Sequence, residues 1–397
     1  MEEKYIKLLL EKCINFDKSK SLLINYDIIN QDFVDKVVEY AKKIGVTDIY
    51  LDKKDIKEEH YLLKNLGLNE IASHPYFNEQ IWDVYAKKGA SFLILRAPFP
   101  GIMDDIEPAK LARAEYVKRA SKQLYKKRQL SFEIPWCIAA LPNIVWAKDL
   151  FKDNDNAYEL LENLIYKICM VDTKNPIDSW NNHLNNNKKR IDELNNLKLR
   201  YLHYKNSLGT DLSIGLLEDG IWCDASTNGL VNMPSYEVFT SPDYTKTCGM
   251  VYSSRPLVYN GGLIDNFWLK FENGKVVDYD AKVGKEILKG ILESDNNAPY
   301  LGEVALIEND SPISNTNIVY GLTLIDENAS CHLALGDGFK ECINKDLNQE
   351  EFLENGVNSS KVHVDFMIGT KDLEIIGETF DNKKVKIFEN GNFKNKF

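Results

Sequence analysis

Four short runs of apolar residues, separated by segments with a helical pattern, dominate the first half of this 397-residue chain. Each run has the length of a strand, and the runs are SLLINY, TDIYL, SFLILR and WCIAAL at residues 21–26, 47–51, 91–96 and 136–141. Between them, segment 33–44 places Val37, Val38 and Ala41 on one helical face. Strands buried on both faces read as continuous apolar runs, so the alternation predicts an α/β layer with a mostly parallel sheet. No GxGxxG motif follows any run, so the pattern indicates no nucleotide site.

A helical connector is predicted over residues 155–205, because residues 155–170 are strongly helical in pattern and Pro176 opens a second helical segment. The chain then changes to short strand-like runs broken by Gly, Asn and Asp. These runs include DLSIGL, IWCDAS and LVYNGGLI, and two hairpins around ENGK and ENGN. Further helices are expected near residues 284–292 and 349–356. We therefore predict two domains, an N-terminal α/β domain with the connector over residues 1–208 and a C-terminal β-rich α+β domain over residues 209–397.

Charge and cysteine content narrow the class of protein. The formal net charge is −11 with both signs interspersed, which argues against binding to nucleic acid. The seven cysteines are scattered and form no CxxC pair, so neither a disulfide framework nor a cysteine zinc site is expected. The first residues lack the features of a signal peptide, and no apolar stretch reaches the roughly 18 residues that span a bilayer. We expect a cytoplasmic protein without a membrane partner.

Two histidines of the second half lie beside carboxylates. His363 and Asp365 are two positions apart in the alternating run VHVDF. A strand sends such residues to the same face, about 7 Å apart at the backbone, where both can bind one metal ion. His332 follows Glu327 by five positions in a segment of small residues, which indicates a tight loop.

Two more carboxylates, Glu237 and Glu303, stand beside apolar strand-like runs. Each of these features also has a plainer explanation. A His-x-Asp pair is more often a hydrogen-bonded surface pair, and a lone glutamate beside an apolar run is usually an edge charge that opposes aggregation. The other four histidines are expected to be structural or exposed. Together, however, the six side chains could bind two cations, so spacing alone predicts a metal site in the second half.

Four segments of the second half resemble signature segments of the aminopeptidase T family of metallopeptidases, in the family's order. They are NMPSYEVFTSP at 232–242, GEVALIE at 302–308, TLIDENASCHLALG at 323–336 and HVDFMIG at 363–369. Shorter stretches at 209–212 and 175–180 are also similar to that family. The first half resembles the family only in general layout.

This resemblance implies a metalloaminopeptidase that releases N-terminal residues from short peptides with a free N-terminus. Carried over by position, it implies the metal ligands Glu237, Glu303, Glu327, His332, His363 and Asp365. It further implies a cocatalytic dinuclear site with two divalent ions, Zn²⁺ or Co²⁺ with Mn²⁺ or Mg²⁺ tolerated, and attack by a water or hydroxide that bridges them. Glu303 is the predicted bridging carboxylate, and Glu237 or Glu327 the predicted proton carrier. A homodimer with an enclosed site is also implied.

One position departs from the family pattern. The family usually has a tyrosine, close to the metals, seven residues after the loop histidine, and that position is Phe339 here. A phenyl ring cannot bind a metal or donate a proton. Two other interpretations therefore stay open: another metal-dependent amide hydrolase with the same ligands, or a catalytically weakened homologue that binds metal or peptide.

Overall fold

The computed structural model describes residues 1–394 except 18, 227–228, 260, 346 and 348, and the chain divides into two compact units. The first unit comprises residues 1–181 and 225–235. The second comprises residues 182–224 and the chain from residue 236 onward. Gly209, the predicted domain boundary, lies in a turn between two strands of the second unit. The division into domains at that position stays a prediction.

The strands are named in chain order. They are β1 (Leu22–Asp27), β2 (Ile49–Lys54), β3 (Ser91–Arg96), β4 (Trp136–Ala140), β5 (Leu199–Lys205), β6 (Asp211–Leu216), β7 (Asn232–Met233), β8 (Val238–Thr240), β9 (Pro242–Tyr252), β10 (Leu257–Tyr259), β11 (Gly262–Glu272), β12 (Lys275–Val283), β13 (Leu301–Leu306), β14 (His332–Gly336), β15 (His363–Met367), β16 (Glu374–Thr379), β17 (Lys384–Glu389) and β18 (Asn392–Phe393).

The α-helices are named in the same way. They are α1 (Glu2–Lys7), α2 (Gln31–Lys43), α3 (Ile56–Asn65), α4 (Leu68–Ser73), α5 (Ile81–Lys87), α6 (Pro108–Ala120), α7 (Gln123–Leu130), α8 (Ile144–Leu150), α9 (Ala157–Ile168), α10 (Pro176–Leu197), α11 (Lys285–Leu292) and α12 (Thr323–Asp326). Within the described ranges, none of these helices combines the length and apolar character that crossing a membrane requires.

The first unit is built on a parallel sheet with the strand order β2-β1-β3-β4-β7. The four apolar runs form β1 to β4, so the α/β prediction is confirmed. Helix α2 buries Val34, Val37 and Ala41, whose i, i+3, i+7 spacing puts them on one face. Aromatic side chains such as Trp82 and Phe92 fill a core against β3.

The second unit contains two antiparallel sheets. The larger has the order β10-β11-β9-β6-β5-β16-β17-β18, with β12 paired to β11, and the smaller has the order β15-β14-β13-β8. Both sheets contribute to one hydrophobic core, in which Leu212 and Phe271 of the larger sheet join Leu333 and Val364 of the smaller. The β-rich character predicted for the second half is confirmed, as are the hairpins β11–β12 and β17–β18.

Three local predictions were wrong. The connector was predicted to stay helical to residue 205, but α10 ends at Leu197 and residues 199–205 form β5. Lys198 has a φ of +49°, which ends the helix, and the next residues alternate so that Leu202 and Tyr204 are buried in the sheet. Residues 349–356, predicted as a helix, form two 3₁₀ turns, and residues 221–226 form only an isolated bridge at Cys223.

Candidate metal centre

The small sheet of the second unit carries four of the six predicted ligands. Glu303 lies on β13, His332 begins β14, and His363 and Asp365 lie on β15. Cross-strand partners share a face of a sheet, and Ala334 is paired with both Glu303 and Asp365. The small alanine between two carboxylates leaves room for a ligand on that face.

The other two predicted ligands reach the same place from loops of the second unit. Glu237 immediately precedes β8, which pairs with β13. Glu327 begins a 3₁₀ turn that follows α12. Asp326, the last residue of α12, holds the segment before this helix, because its carboxylate accepts hydrogen bonds from the backbone N–H groups of Tyr320 (2.8 Å), Gly321 (2.8 Å) and Leu322 (3.2 Å).

The side-chain distances place five of the six predicted ligands in two overlapping groups, and Glu327 belongs to neither. His332 Nε2 lies 3.4 Å from Glu237 Oε2, and His363 Nε2 lies 3.2 Å from Glu303 Oε2 and 3.3 Å from Asp365 Oδ1. One ligand atom each from Glu237, Glu303 and His332 lie within 4.8 Å of one another, and so do those of Glu303, His363 and Asp365. Glu303 therefore belongs to both groups.

Both imidazoles are oriented by backbone carbonyl groups. Nδ1 of His363 lies 2.8 Å from the carbonyl oxygen of Asp337, and Nδ1 of His332 lies 3.4 Å from that of Ser330. A carbonyl oxygen can only accept, so this arrangement assigns the proton to Nδ1 and leaves the Nε2 lone pair facing the carboxylates. Histidines that bind metal ions are commonly held in this way.

Burial makes the negative charges of the clustered carboxylates energetically unfavourable unless protons or cations neutralise them. Glu237, Glu303 and Glu327 are 6%, 4% and 9% exposed. Burial, and then the repulsion from neighbouring carboxylates, raises the pKa of Glu237 and of Glu327 well above the ordinary value. The pKa of Glu303 is also raised, mainly by burial. Buried carboxylates at this density require protons or bound cations.

The two residues on β15, His363 and Asp365, instead favour their charged forms. Burial opposes the charge of both, but each stabilises the charge of the other. As a result the pKa of His363 is raised well above its usual range, and that of Asp365 is lowered to about 2. Asp365 Oδ1 is nevertheless a buried oxygen that accepts no well-aligned hydrogen bond within the described part of the chain. An oxygen so placed, facing two imidazole nitrogens, fits a divalent cation of the Zn²⁺ or Co²⁺ type.

Sequence reasoning missed the residues that support these ligands. Asn328 is fully buried; its Nδ2 lies 3.5 Å from Glu327 Oε1, and its Oδ1 accepts the backbone N–H of Tyr236 at 2.7 Å. His183, predicted to be structural or exposed, packs its ring against Tyr236 with 5.1 Å between centroids. An asparagine directly after a candidate ligand was the available signal, whereas nothing local marked His183.

Phe339 lies beside the cluster, as its place in the family pattern implied. Its ring centroid is 4.9 Å from that of His363 and 5.3 Å from that of Phe239. Its backbone N–H donates to Ser241 Oγ at 2.8 Å, which fixes the loop that carries it. The side chain thus presents an apolar ring next to a candidate ligand.

Known proteins match nearly the whole length of this chain. The profile of the thermophilic metalloproteases, M29, matches residues 1–393. The chain belongs to the M29 metalloprotease family. Aminopeptidase AmpS of Bacillus subtilis (strain 168) is 36% identical over 401 residues, 98% of this chain and 97% of that protein. Aminopeptidase 2 of Geobacillus stearothermophilus is 33% identical over 401 residues, again 98% and 97% of the two chains.

The solved structure of wild-type AmpT from Thermus thermophilus has the same fold as this M29 protein. The TM-score is 0.90 at 28% identity, over 99% of this chain and 98% of that one. The resemblance seen in the sequence is thereby confirmed, and with it the class of enzyme: the protein is a metalloaminopeptidase that uses divalent metal and acts on peptides.

Proposed function

We propose that this protein removes N-terminal residues from short peptides with two divalent ions in the cluster described above. The proposed ligands are Glu237, Glu303, Glu327, His332, His363 and Asp365. The observation that carries the proposal is that Glu303 belongs to both ligand groups. A carboxylate shared in this way suits a site with two ions, one on each side of it. Imidazole and carboxylate ligands favour Zn²⁺ or Co²⁺ and tolerate Mn²⁺ or Mg²⁺.

The chain's own residues then position the ligands and move a proton. When bound, the ions supply the Lewis acidity that activates water and polarises the scissile carbonyl. Glu327 lies outside both ligand groups of the described residues, although its charge interacts with those of Asp365, Glu237 and Glu303. We assign Glu327 as the carboxylate that takes a proton from water and passes it to the leaving amine. Of the two candidates, Glu237 belongs to a ligand group and Glu327 to neither.

Substitution of single ligands tests the proposal. Purified protein is expected to hold about two ions per chain and to hydrolyse leucyl-p-nitroanilide with added Co²⁺. His363→Ala should lose at least one ion and essentially all activity. Glu327→Gln keeps an oxygen that can still contact an ion but cannot take up a proton, so both ions should stay bound while kcat falls by a factor of about 10² or more. Metal content by mass spectrometry and steady-state rates measure both effects; a fully active Glu327→Gln variant would remove this residue from its proposed role.

One observation favours a second candidate function. The apolar ring of Phe339 beside His363 is consistent with a homologue that binds metal or peptide but turns over slowly. Hydrolysis by the loaded enzyme separates the two functions. An N-acetylated peptide separates the aminopeptidase from other amide hydrolases, because an enzyme that needs a free N-terminus leaves it intact.

We also propose a homodimer in the cytoplasm. The location rests on the sequence, whose seven scattered cysteines indicate no disulfide framework. The dimer rests on the resemblance to the family, and light scattering on the purified protein at micromolar concentration tests it.

A further inference from the structure

The side chains of Cys223 and Cys342 meet in the second unit. Their Sγ atoms are 3.5 Å apart, although the two residues are separated by 119 positions of chain. One S–H group donates to the other sulfur, and Cys223 Sγ also lies 3.8 Å from the carbonyl oxygen of Phe239. The sulfurs of a disulfide are about 2.05 Å apart, so a movement of about 1.5 Å would allow the bond to form.

Backbone hydrogen bonds hold both cysteines in this position. The N–H group of Cys223 donates to the carbonyl oxygen of Phe239, and that of Phe239 donates back to Cys223, both at 2.9 Å. On the other side of the same segment, the N–H group of Ile221 donates to the carbonyl oxygen of Cys342 at 2.9 Å. The segment that carries Cys223 therefore lies between β8 and the segment that carries Cys342. The fold itself keeps the two thiols in contact.

The two thiols differ in their access to solvent. Cys342 is fully buried, whereas Cys223 is partly exposed. An oxidant from solution therefore reaches Cys223 first, and Cys342 is placed to attack the oxidised sulfur. The remaining buried cysteines are at most 1% exposed, which shields them from such an oxidant; they are Cys13, Cys137, Cys169 and Cys331.

Neither thiol is unusually acidic. Burial, and then the hydrogen bond with Cys223, raises the pKa of Cys342 well above its ordinary value. The hydrogen bond from Cys342 lowers the pKa of Cys223, but burial and nearby carboxylates such as that of Glu341 outweigh it, so this pKa is also raised. Because the thiolate is the form that reacts, the first oxidation is slow. The second step is favoured by proximity, since the partner thiol is already in contact.

A bond between these sulfurs would join two segments whose aromatic rings lie beside the candidate metal centre. Phe239, which is hydrogen-bonded to Cys223, contacts the ring of Phe339 with 5.3 Å between centroids. Cys342 ends the 3₁₀ turn that follows Phe339, and its N–H group donates to the carbonyl oxygen of Phe339 at 3.2 Å. The ring of Phe339 lies 4.9 Å from that of His363. A displacement of either cysteine is therefore transmitted towards a candidate ligand.

We propose that Cys223 and Cys342 are a site of reversible oxidation, at which a peroxide converts the two thiols to a disulfide that slows peptide hydrolysis. The Cys223 thiolate attacks one peroxide oxygen and becomes a sulfenic acid, while the O–O bond breaks and the released hydroxide takes up the proton lost by the thiol. The Cys342 sulfur then attacks Cys223 Sγ, so that the S–S bond forms, the S–O bond breaks and water leaves.

The electron balance of this reaction is complete. The two thiols together lose two electrons and two protons, and the peroxide is reduced to two molecules of water. A thiol or phosphine reductant reverses the oxidation. Such a disulfide is transient in a reducing compartment, unlike the permanent bridges of a disulfide framework.

Peptide mapping tests the disulfide without any measurement of activity. Zn²⁺-loaded protein is treated with hydrogen peroxide, blocked with N-ethylmaleimide and digested with trypsin without reductant. The bond would link peptide 206–246, whose only cysteine is Cys223, to peptide 341–345, whose only cysteine is Cys342. We expect the linked peptide in wild type and in the control Cys248→Ser, which keeps both thiols, but not in Cys223→Ser. If wild type yields no linked peptide under conditions that oxidise Cys248, the proposal is overturned.

Turnover of the same samples tests the consequence and rests on the proposed function. We expect kcat for leucyl-p-nitroanilide to fall about threefold or more in oxidised wild type, because Phe339 moves with the adjacent turn. A phosphine reductant should restore the rate, and Cys223→Ser and Cys342→Ala should keep theirs after peroxide. A linked peptide with unchanged kcat would overturn the control of turnover. Reduced wild type that hydrolyses no peptide refutes the proposed function, while the peptide map still decides on the disulfide.

Discussion

At the scale of single residues, Phe339 is the side chain whose chemistry least fits the cluster beside it. Its ring contacts His363 and Phe239 beside a cluster of carboxylates and imidazoles, and it can carry neither a charge nor a hydrogen bond. An aromatic ring of the same shape with a hydroxyl group fits the same space, so the position can be changed with little effect on packing.

We expect Phe339→Tyr to raise kcat of the Co²⁺-loaded enzyme by about tenfold, with little change in melting temperature. The added hydroxyl supplies a donor that can stabilise negative charge on the carbonyl oxygen in the transition state. Hydrolysis of leucyl-p-nitroanilide measures the effect, and Phe239→Tyr provides a control on the neighbouring ring. A kcat that stays constant or falls would show that this chain compensates for the phenylalanine elsewhere.

Single residues were also the features that could best be predicted from the sequence. His363 and Asp365 were recognisable because a strand's period of two places them together, and this holds whatever packs around the strand. The position of Asn328 directly after Glu327 was a local signal, but its bond to Tyr236 could not be predicted, because the two residues are distant in sequence and become neighbours only in the folded chain.

At the scale of elements, the irregular start of β13 shapes the site. The pairing of β13 with β14 shifts register between Leu301 and Glu303, so Gly302 bulges towards the next turn. A Cβ atom at Gly302 would lie 2.1 Å from the carbonyl oxygen of Asp337 and 2.4 Å from that of Gly336. The backbone of Gly336 and Asp337 therefore leaves no room for a side chain at this position. The Asp337 carbonyl also orients His363. The glycine thus permits the close approach that holds a ligand on each of two strands.

We expect Gly302→Ala to lower the free energy of unfolding by about 1 to 3 kcal/mol, because the backbone must move to admit the methyl group. It should also reduce bound metal, since Glu303 and His363 move with that backbone. Urea unfolding and metal content measure the two effects. Gly290→Ala on α11 is the matched control: no atom lies within 4 Å of its added methyl group, so its stability should rise by up to about 1 kcal/mol.

Prediction of the elements succeeded where a local pattern sufficed. Strands β1 to β4 appeared as apolar runs because a parallel sheet is buried on both faces. β5 was misread as helix because it follows α10 with a break of only one residue, Lys198, and its burial is set by pairing with β6 and β16. β7, two residues long, pairs with a strand almost a hundred positions earlier, and no local signal could reveal it.

At the scale of the whole molecule, the buried carboxylates of the candidate metal centre make the stability of the fold depend on pH. The pKa values of Glu237, Glu303 and Glu327 are raised above the ordinary 4.5, mainly by burial, and that of His363 is raised above 6.5 by Asp365 and Glu303. Groups with a raised pKa bind protons more tightly when folded. Their contribution to stability is therefore full below the unfolded-state pKa and is lost as pH rises through the folded-state value.

Removal of the ions should therefore destabilise the protein more at pH 8 than at pH 6. Ion binding requires deprotonated ligands and strengthens as pH rises, whereas the metal-free fold weakens over the same range. We expect a chelator to lower the melting temperature by about 5 °C or more at pH 8. Calorimetry at both pH values, with and without chelator, measures the difference. If the fall in melting temperature caused by the chelator is smaller at pH 8 than at pH 6, the assignment of these groups as ligands is contradicted.

The way the chain is divided was the part least accessible to sequence. The two compact units are not continuous in sequence, since residues 225–235 belong to the first and residues 182–224 to the second. Such a division follows from long-range pairing between strands, which a single sequence does not display. The motifs around the candidate ligands could be recognised because each is a short continuous segment of the sequence.

The wide separation of the candidate ligands along the chain has a consequence during synthesis. β15 brings His363 and Asp365 to the sheet only after the ribosome has made the long stretch of chain that follows Glu237. A nascent polypeptide that has not yet reached β15 therefore holds an incomplete set of candidate metal-binding groups. On the proposed function, a translation fragment that ends before β15 has no peptidase activity.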